Sequence, residues 1–418
     1  MKAQHALMAA FVVLLPFQDT ILRATPLRML GQSFAVIPLF GLVGLDLAVW
    51  LASGKKRVNL AVAAALLYGA FITGLYLALW GTSWWGVSLV EKTFNLSVVT
   101  CLALYVVFGL PWDRFPYLRL SVYTALTIAV CGVFVNDLNL LGLRPFVANP
   151  VFHYTPNPDE RWHGLCPEAS VLSLCIGSFG LLSAALAPSK LGRIGFLGGT
   201  ALLLALSGSK GAVLTLAVAV AASGVLARGY RWKALACGLL LSPAIYLGYQ
   251  RLVQMTSSQA VLESTTFATR GSMLVWAVKV IMRHPWGVGF GGFFPAMTRH
   301  LPASMDTVSR WSPLPLDFDE VRSYISSPQF AGTKTLVFDL GVYFGIPFLV
   351  AFVVFVVRIC RGCLRRGDIL LLISVLFVTA AVCTYAGSLF RHDYLVTYAV
   401  AWGRRRHGAP GLPDASAG

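Results

Sequence analysis

Long apolar runs, separated by short polar connections, recur along the whole chain. The runs lie at about residues 6–22, 30–53, 58–80, 94–110, 118–137, 167–187, 194–207, 211–227, 232–251, 335–357, 369–389 and 394–403. Most approach the roughly 20 residues that a helix needs to cross the hydrocarbon core of a bilayer. They are too continuous for the alternating strands of a membrane β-barrel. The pattern therefore predicts an all-α, polytopic integral membrane protein with about twelve transmembrane helices.

The composition indicates that lipid is the main solvent of this chain. Of the 418 residues, 57% are hydrophobic and only 12% are charged, whereas about a quarter of the residues in a soluble domain are charged. Mean hydropathy is +0.72. We therefore expect a single transmembrane domain over residues 1–418. Because the first apolar run lacks a small-residue cleavage site, we interpret it as a span and not as a removed signal peptide.

Basic residues collect in every second connection. They lie at 55–57, 113–119, 190–193, 228–233, 358–366 and 404–406. Cytoplasmic loops of membrane proteins are rich in Lys and Arg, so these connections and both termini are predicted to be cytoplasmic. The net charge of +16 then requires no nucleic acid as a partner. Arg23 and Arg28 fall in the first external connection, which indicates either an irregular first hairpin or a function for the two arginines.

Two of the external connections are too long to be simple turns. They are residues 138–166 and the long loop at 252–334, and the others lie at 81–92, 207–211 and 390–394. Within the long loop, the segment 268–283 has apolar positions typical of a helix, which we expect to lie along the membrane surface. The last residues, 404–418, are predicted to form a disordered cytoplasmic tail.

Several Arg and Lys residues lie on the predicted external side, close to helix ends, against the usual charge bias. They are Arg161, Lys210, Arg270, Arg283, Arg322, Lys334 and Arg391. Cations near hydrocarbon are unfavourable unless they are paired, and Arg binds phosphate oxygens as a bidentate fork. The set predicts a site for an anionic ligand, most simply phosphate. The alternative is that each side chain reaches singly to lipid headgroups.

The run from Arg161 to Ser170 places a carboxylate at the mouth of a span. Pro167 suits the first position of a helix, where its missing N–H has no consequence. Glu168 would then lie in the first turn, where the helix dipole keeps it ionised. Glu168 could act as a general base, or it could be a fixed salt-bridge partner of Arg161.

Two further external stretches combine glycines with basic groups. Ser207-Gly-Ser-Lys-Gly211 forms a tight turn around Lys210, but it lacks the spacing of a phosphate loop and no strand is expected before it. Residues 283–293, RHPWGVGFGGF, contain the pattern G-x-G-x-x-G. We expect neither a preceding strand nor a clear following helix there, which argues against a dinucleotide fold. Instead, the glycines are expected to form a turn that places His284 beside the membrane face on which Arg270 lies.

His284 has two interpretations at this position. It could donate to phosphate or transfer a proton, or it could cap the end of the preceding helix. No metal or cofactor site is predicted. Five of the eight Cys residues lie in apolar runs, where Cys is a small hydrophobic residue. Cys360-x-x-Cys363 has no second pair that would complete a zinc site.

Four motifs occur in a fixed order over about residues 150–345. They are the Arg161–Ser170 run, the Ser207–Gly211 turn, Thr269-Arg270-Gly271 followed by Trp276 and His-Pro-x-Gly-x-Gly, and a span that opens at Thr333-Lys334-Thr335 and continues through Asp339-Leu-Gly341. In this order they resemble the motifs of the bacterial O-antigen ligase and O-antigen polymerase superfamily, which includes related exopolysaccharide polymerases.

The resemblance implies a GT-C-like, metal-independent glycosyltransferase of the bacterial inner membrane with an active site that faces the periplasm. Such enzymes transfer a glycan from an undecaprenyl diphosphate carrier, so the implied partners are this lipid-linked oligosaccharide, the lipid bilayer, a chain-length regulator and export machinery. The implied diphosphate-binding residues are Arg161, Lys210, Arg270, Arg391 and Lys334. They would stabilise the charge that builds on the leaving diphosphate. The candidates for removing the acceptor proton are Glu168, His284 and His392.

Polymerase and ligase differ near the end of the long loop. Ligases of this family usually carry a His just before the closing span, and here Gly332-Thr333-Lys334-Thr335 occupies that place. Together with Glu168 after Pro167, this favours a polymerase that adds glycan repeat units to a growing chain. The alternative is an O-antigen ligase that transfers glycan to lipid A core, with His284 or His392 in place of the missing His.

A secondary transporter of a saccharide or an anion is a more distant alternative. Transporters are typically built from two similar halves around coupling-ion sites within the membrane. In this chain the two halves are dissimilar, and Asp46 is the main acidic residue within a span. The long loop is external and follows the ninth predicted span. These features favour an enzyme.

Overall fold

The computed structural model describes residues 2–25, 32–53, 60–142, 151–152, 161–227, 239, 260–311, 316–326, 333, 335–385 and 391–406. Its helices are α1 (Lys2–Leu14), α2 (Val36–Ser53), α3 (Leu60–Trp80), α4 (Leu89–Leu104), α5 (Leu118–Gly132), α6 (Ala169–Leu186), α7 (Lys190–Leu206), α8 (Lys210–Leu226), α9 (Ala260–Arg283), α10 (Gly289–Trp311), α11 (Asp319–Ser326), α12 (Leu336–Arg365), α13 (Ile369–Thr384) and α14 (Asp393–Arg406). α4 and α5 each continue as a π-helical segment, Tyr105–Gly109 and Val133–Asp137.

The all-α prediction is confirmed over the described residues, with one small exception. Strands β1 (Ser83–Trp84) and β2 (Val87–Ser88) form a two-stranded antiparallel hairpin between α3 and α4. Most of the predicted run at 232–251 lies outside the described residues, as do residues 407–418 of the predicted tail. The first residues of that tail, 404–406, are helical because α14 continues to Arg406.

Within the described residues, six helical segments are long and apolar enough to cross a membrane. They are Val36–Ser53, Val62–Trp80, Leu89–Gly109, Leu118–Asp137, Ala169–Leu186 and Leu336–Arg365. α1, α8 and α13 are apolar but shorter. The chain is therefore a polytopic, helical membrane protein.

The first predicted span is interrupted. α1 ends at Leu14, before Pro16, and the chain resumes as a short 3-10 helix at Ile21–Ala24. Proline cannot continue the helix because it lacks the N–H and its ring clashes with the preceding turn. Arg23 donates to the buried carboxylate of Asp19 at 3.1 Å. The first hairpin is thus irregular, and Arg23 has a structural partner there.

α6 is the central helix of the bundle. In its apolar window 78% of the residues are buried, against 17% for α3. It packs against α5, α7, α8, α13 and α14. The approach is close because glycines face the neighbours: a Cβ at Gly180 would overlap Thr200 of α7, and one at Gly177 would overlap the Phe377 ring of α13. α3, in contrast, exposes large apolar side chains, as expected for a lipid-facing helix.

The long loop is largely helical. α9 and α10 form an antiparallel hairpin, and α11 packs against both. The predicted helix at 268–283 is present and is longer than the sequence pattern suggested. The helix begins at Ala260, and its apolar residues Met273, Trp276 and Val280 are fully buried against protein. The pattern shows an apolar face but does not show whether lipid or protein covers it.

The tip of the α9–α10 hairpin is fixed between α3 and α12. The N–H of Ile346 donates to the carbonyl of Pro285 at 2.8 Å, beside a kink at Gly345 in α12. The N–H of Phe290 donates to Thr73 Oγ1 of α3 at 3.2 Å. The expectation that no clear helix follows the glycine-rich stretch is wrong, since α10 begins at Gly289 within it.

Candidate functional site

Four chain segments meet at one end of the bundle. They are the segment before α6, the turn between α7 and α8, the end of α13 and the start of α14. The side chain of Arg161 lies over the turn. A Cβ atom built on Gly208 would be 3.3 Å from Arg161 Cγ. On the other side of the turn, a Cβ at Gly211 would be 2.9 Å from the Tyr385 ring. Lys210 is the first residue of α8 in this turn.

The segment from Arg161 to Glu168 is held in place by the end of α5. Asp137 Oδ2 accepts the N–H groups of His163 at 3.0 Å and Gly164 at 2.8 Å. Asn136 donates to the carbonyl of Gly164 at 2.8 Å. Gly164 has a φ of +55°, a left-handed conformation that favours glycine. The residues on both sides of this turn are therefore fixed relative to the bundle.

Glu168 is the N-cap residue of α6, because the helix begins at Ala169. Pro167 therefore precedes the cap, and the helix begins two residues later than the sequence-based assignment placed it. The carboxylate still lies beside the positive end of the helix dipole. Its side chain is exposed, and Ser170 Oγ donates to Glu168 Oε1 at 2.6 Å.

Arg270 projects from α9 toward the same group. Burial lowers the pKa of its guanidinium, while Glu168, Glu320 and Tyr385 raise it and Arg161 lowers it further. Among the described residues, no carboxylate oxygen lies within 4.0 Å of the Arg270 nitrogens. Arg270 therefore faces two carboxylates without a direct ion pair to either of them.

Glu320 was not identified from the sequence. It lies in the first turn of α11, where Thr269 Oγ1 donates to its Oε2 at 2.8 Å and Tyr324 Oη donates to its Oε1 at 2.6 Å. These bonds attach α11 to α9 next to Arg270. The available signal was the acidic stretch at 317–320 within the long loop.

Tyr385 was also missed, because a single Tyr at the end of an apolar run carries no local signal. It caps the end of α13 and is buried. Arg270, Arg391 and Asp393 all lie close enough to interact electrostatically with its hydroxyl. Tyr385 thus lies close to both Arg270 and Arg391.

Arg391 lies at the same end but belongs to an internal ion pair. Its Nη2 donates to Asp393 Oδ2 at 2.7 Å and to the carbonyl of Val171 at 3.0 Å. The Asp393 carboxylate is fully buried. These contacts fasten α14 to α6, so the guanidinium is directed into the protein and not toward Arg270.

The two histidine candidates contact other parts of the protein. His392 is 1% exposed and its ring meets Phe11 edge-on at 6.3 Å. In the described part of the chain neither ring nitrogen has a hydrogen-bond partner. Burial lowers the pKa of His392 to about 4.

His284 lies apart from the group around Arg270. The two residues are separated by most of α9, and at 1.5 Å per residue this amounts to about 20 Å. His284 Nδ1 instead lies 2.9 Å from the hydroxyl of Tyr76 on α3. The turn does form, but it faces away from the group around Arg270.

The remaining predicted cations are dispersed. Arg322 is exposed and pairs with Asp319 at 3.1 Å, and Arg283 contacts His300 at 3.1 Å near the hairpin tip. Lys334 lies outside the described residues. The structure therefore brings together Arg161, Glu168, Lys210 and Arg270, with Arg391 behind them. Over the described ranges, no group of three or more His, Cys, Asp or Glu side chains could hold a metal ion.

Comparison with known proteins agrees with the motifs. Residues 195–315 match the family model described as O-antigen ligase, and this range includes Lys210 and Arg270. The chain is 26% identical over 397 residues to an uncharacterized 49.5 kDa protein in the cps region of Klebsiella pneumoniae, covering 91% of this chain and 88% of that protein. No solved structure matches the chain significantly. The resemblance to the O-antigen ligase and polymerase superfamily is confirmed.

Proposed function

With this superfamily as the premise, we propose that the chain is a polysaccharide polymerase of the inner membrane. It transfers glycan repeat units from an undecaprenyl diphosphate carrier onto a growing chain at the periplasmic face. The observation that carries the proposal is Arg270, a half-buried arginine that faces Glu168 and Glu320 but forms an ion pair with neither. An anion bound beside Arg161 and Lys210 would give Arg270 charge-assisted hydrogen bonds.

The chemistry requires stabilisation of a leaving group. The acceptor hydroxyl oxygen attacks the anomeric carbon of the donor sugar, and the bond from that carbon to the diphosphate oxygen breaks. The electron pair leaves with the diphosphate, whose growing charge Arg270 and its neighbouring cations stabilise. Because these groups are fixed by the bundle before the reaction, they need little reorganisation.

Glu168 is the best candidate for the general base. Glu320 already accepts a hydrogen bond on each carboxylate oxygen, His392 is buried, and His284 is about 20 Å away. The Glu168 carboxylate is exposed, and its Oε1 accepts a single side-chain hydrogen bond, from Ser170. It can therefore accept the proton that the acceptor hydroxyl loses.

The end of the long loop supports polymerase over ligase. Thr333 and Thr335 are buried there, and the N–H of Thr333 donates to Asp339 at 2.7 Å. In the described part of this segment, the position where ligases usually carry a His is thus occupied by hydroxyl groups engaged in internal bonds. The ligase function is the second candidate, favoured by the description of the matching family.

The proposal includes the remaining architecture implied by the superfamily. We infer about twelve spans arranged in a GT-C-like fold, with both termini cytoplasmic and a reaction that needs no metal ion. Residues 252–334 form the periplasmic loop in this arrangement, and a chain-length regulator and export machinery are the expected protein partners.

The deciding experiment supplies the purified protein with an undecaprenyl-diphosphate-linked repeat unit and separates the products by size. A ladder of longer glycans supports the polymerase, and a single transfer to lipid A core identifies a ligase. Arg270→Ala should abolish the product, while Arg322→Ala, an exposed arginine of the same loop, should preserve it. If the folded protein transfers no glycan but takes up a solute into vesicles, it is a transporter instead.

A further inference from the structure

The tip of the α9–α10 hairpin carries a second group of basic side chains, which the proposed reaction does not use. This hairpin-tip cluster consists of Arg283 and His284 at the end of α9 and Arg299 and His300 on α10. Arg283 Nη1 donates to His300 Nδ1 at 3.1 Å. The cluster lies at the opposite end of α9 from Arg270, at a distance of about 20 Å.

The cluster is not neutralised by acidic residues. Over the described ranges, none of its four members forms an ion pair with a carboxylate. Arg299 stacks over the Trp80 ring at 4.0 Å, and His284 contacts Tyr76. Burial lowers the pKa of His284 and His300, and Arg283 lowers both further. The positive charge of the cluster therefore comes from Arg283 and Arg299, and the two histidines are neutral hydrogen-bonding groups.

Helix capping accounts for only part of the group. Arg283 and His284 at the end of α9 complement the negative end of the helix dipole. Arg299 and His300, however, lie in the interior of α10 and gain nothing from that dipole. Their position beside Arg283 needs another explanation.

The surroundings indicate what kind of anion would bind. Trp80 is the last residue of a candidate membrane span, so Arg299 lies at the level where that span ends. The neighbouring side chains are large, apolar and exposed: Leu79 is 66% exposed, Met282 73% and Trp286 66%. Basic groups at the end of a span, with aromatic residues beside them, are typical of the interface where lipid headgroups lie.

We propose that the hairpin-tip cluster binds the phosphate of a membrane lipid. Arg283 offers a planar fork to the phosphate oxygens. Because His300 Nδ1 accepts from Arg283, its Nε2 carries the proton and is a second donor. The acyl or prenyl chains then lie along Leu79, Met282 and Trp286. A bulk phospholipid and a polyprenyl phosphate share this chemistry.

Native mass spectrometry of the full chain in detergent tests the site. The protein is titrated separately with phosphatidylglycerol, with undecaprenyl phosphate, and with diacylglycerol, which lacks phosphate. The double variant Arg283→Gln/His300→Gln should weaken binding of at least one phosphate lipid about tenfold or more, because two charge-assisted or polar hydrogen bonds are lost. Binding of diacylglycerol should not change.

Three comparisons make the result decisive. Arg310→Gln, an exposed arginine of α10 beyond the cluster, should leave all three affinities unchanged. Arg283→Lys, which keeps the charge but loses the fork, should give an intermediate affinity and shows that the fold is retained.

A loss confined to undecaprenyl phosphate identifies the carrier as ligand, and a loss that includes phosphatidylglycerol identifies bulk lipid. Equal weakening of diacylglycerol, or no change in either phosphate lipid, overturns the proposal. Because binding is measured without turnover, the result is independent of the proposed function.

Discussion

Two arginines at the same end of the bundle have different roles because their partners differ. Arg391 is buried with the carboxylate of Asp393 at 2.7 Å, whereas Arg270 is half-buried and has no direct carboxylate partner among the described residues. Removing one member of a buried pair leaves an uncompensated charge. Removing an unpaired arginine leaves no such charge.

We therefore expect Arg391→Ala to lower the free energy of unfolding by about 3–5 kcal/mol, while Arg270→Ala changes it by less than about 1 kcal/mol and abolishes transfer. Unfolding in detergent, followed by circular dichroism, measures the first effect. The double variant Arg391→Ala/Asp393→Ala should recover part of the loss, since no buried charge stays unpaired. Equal destabilisation by the two single variants would contradict this division of roles.

His392 predicts a dependence of stability on pH. Burial holds its pKa at about 4 in the folded protein, against about 6.5 when unfolded. Between these values the unfolded chain binds the proton and the folded chain does not, so stability falls as the pH falls. The expected loss is about 2 kcal/mol between pH 7 and pH 5.

The test compares melting temperatures at the two pH values for the natural protein and for His392→Leu. The variant lacks the titrating group and fills an apolar site against Phe11, so its loss between pH 7 and pH 5 should be smaller by that amount. If both proteins lose the same stability, His392 is not buried in its neutral form.

At the scale of elements, the packing around α6 depends on small residues. A Cβ at Gly180 would overlap the side chain of Thr200, whereas nothing lies within 4 Å of a Cβ at Gly198 on α7. Gly180→Ala should therefore destabilise the protein by about 1–3 kcal/mol through overpacking. Gly198→Ala should be neutral or stabilising by up to about 1 kcal/mol, because alanine favours the helix. Thermal unfolding of the two variants measures the difference, and equal melting temperatures would show that α7 does not approach α6 so closely.

The kink in α12 is the second element that a single residue determines. Gly345 has φ +68° and ψ −159°, and a Cβ there would overlap the carbonyl oxygen of Pro285. Such a backbone conformation is accessible essentially to glycine alone. Gly345→Ala should displace the hairpin tip and reduce transfer, although Arg270 and Glu168 are unchanged.

Gly74→Ala on α3 is the matched control, because nothing lies within 4 Å of a Cβ there. It should preserve both the melting temperature and the transfer rate. Full activity of Gly345→Ala would show that docking of the tip is not needed for the site.

At the scale of the molecule, the alternation of basic connections predicts which end of the bundle faces the periplasm. In a variant background without the native cysteines, a membrane-impermeant thiol reagent should label Thr82→Cys, next to the β1–β2 hairpin, in intact spheroplasts. It should label Lys190→Cys, at the start of α7, only after permeabilisation. Both positions are exposed, so burial does not limit labelling. The reverse pattern would place the Arg270 end in the cytoplasm.

The positions of the helices could be predicted largely from the sequence, because lipid as solvent requires long apolar runs. The convergence of Arg161, Glu168, Lys210 and Arg270 also followed from sequence, since helix ends assigned to one side must lie near one another. The prediction failed where direction within the long loop mattered. From Arg270, α9 extends about 20 Å to the hairpin tip. The apolar pattern of a helix does not show in which direction the helix points.

Contacts between distant segments were equally inaccessible. Glu320 becomes part of the site only because α11 packs against α9 through Thr269 and Tyr324. Arg391 stands two residues from Asp393, but the sequence does not show that both side chains turn inward. Local patterns identify the ends of helices, and tertiary packing decides which side chains at those ends are free to meet a ligand.

The contacts at the tip of the α9–α10 hairpin fix one end of α9. They are the hydrogen bonds from Ile346 to Pro285 and from Phe290 to Thr73. Arg270 lies about 20 Å away along the helix. Over that length, a rotation of α9 by about 5° about these contacts would move Arg270 by about 2 Å, while Glu168 would keep its position at the start of α6. A shift of that size is enough to separate charge-assisted hydrogen bonds. A displacement of the hairpin tip that rotated α9 would therefore change the distance between Arg270 and Glu168.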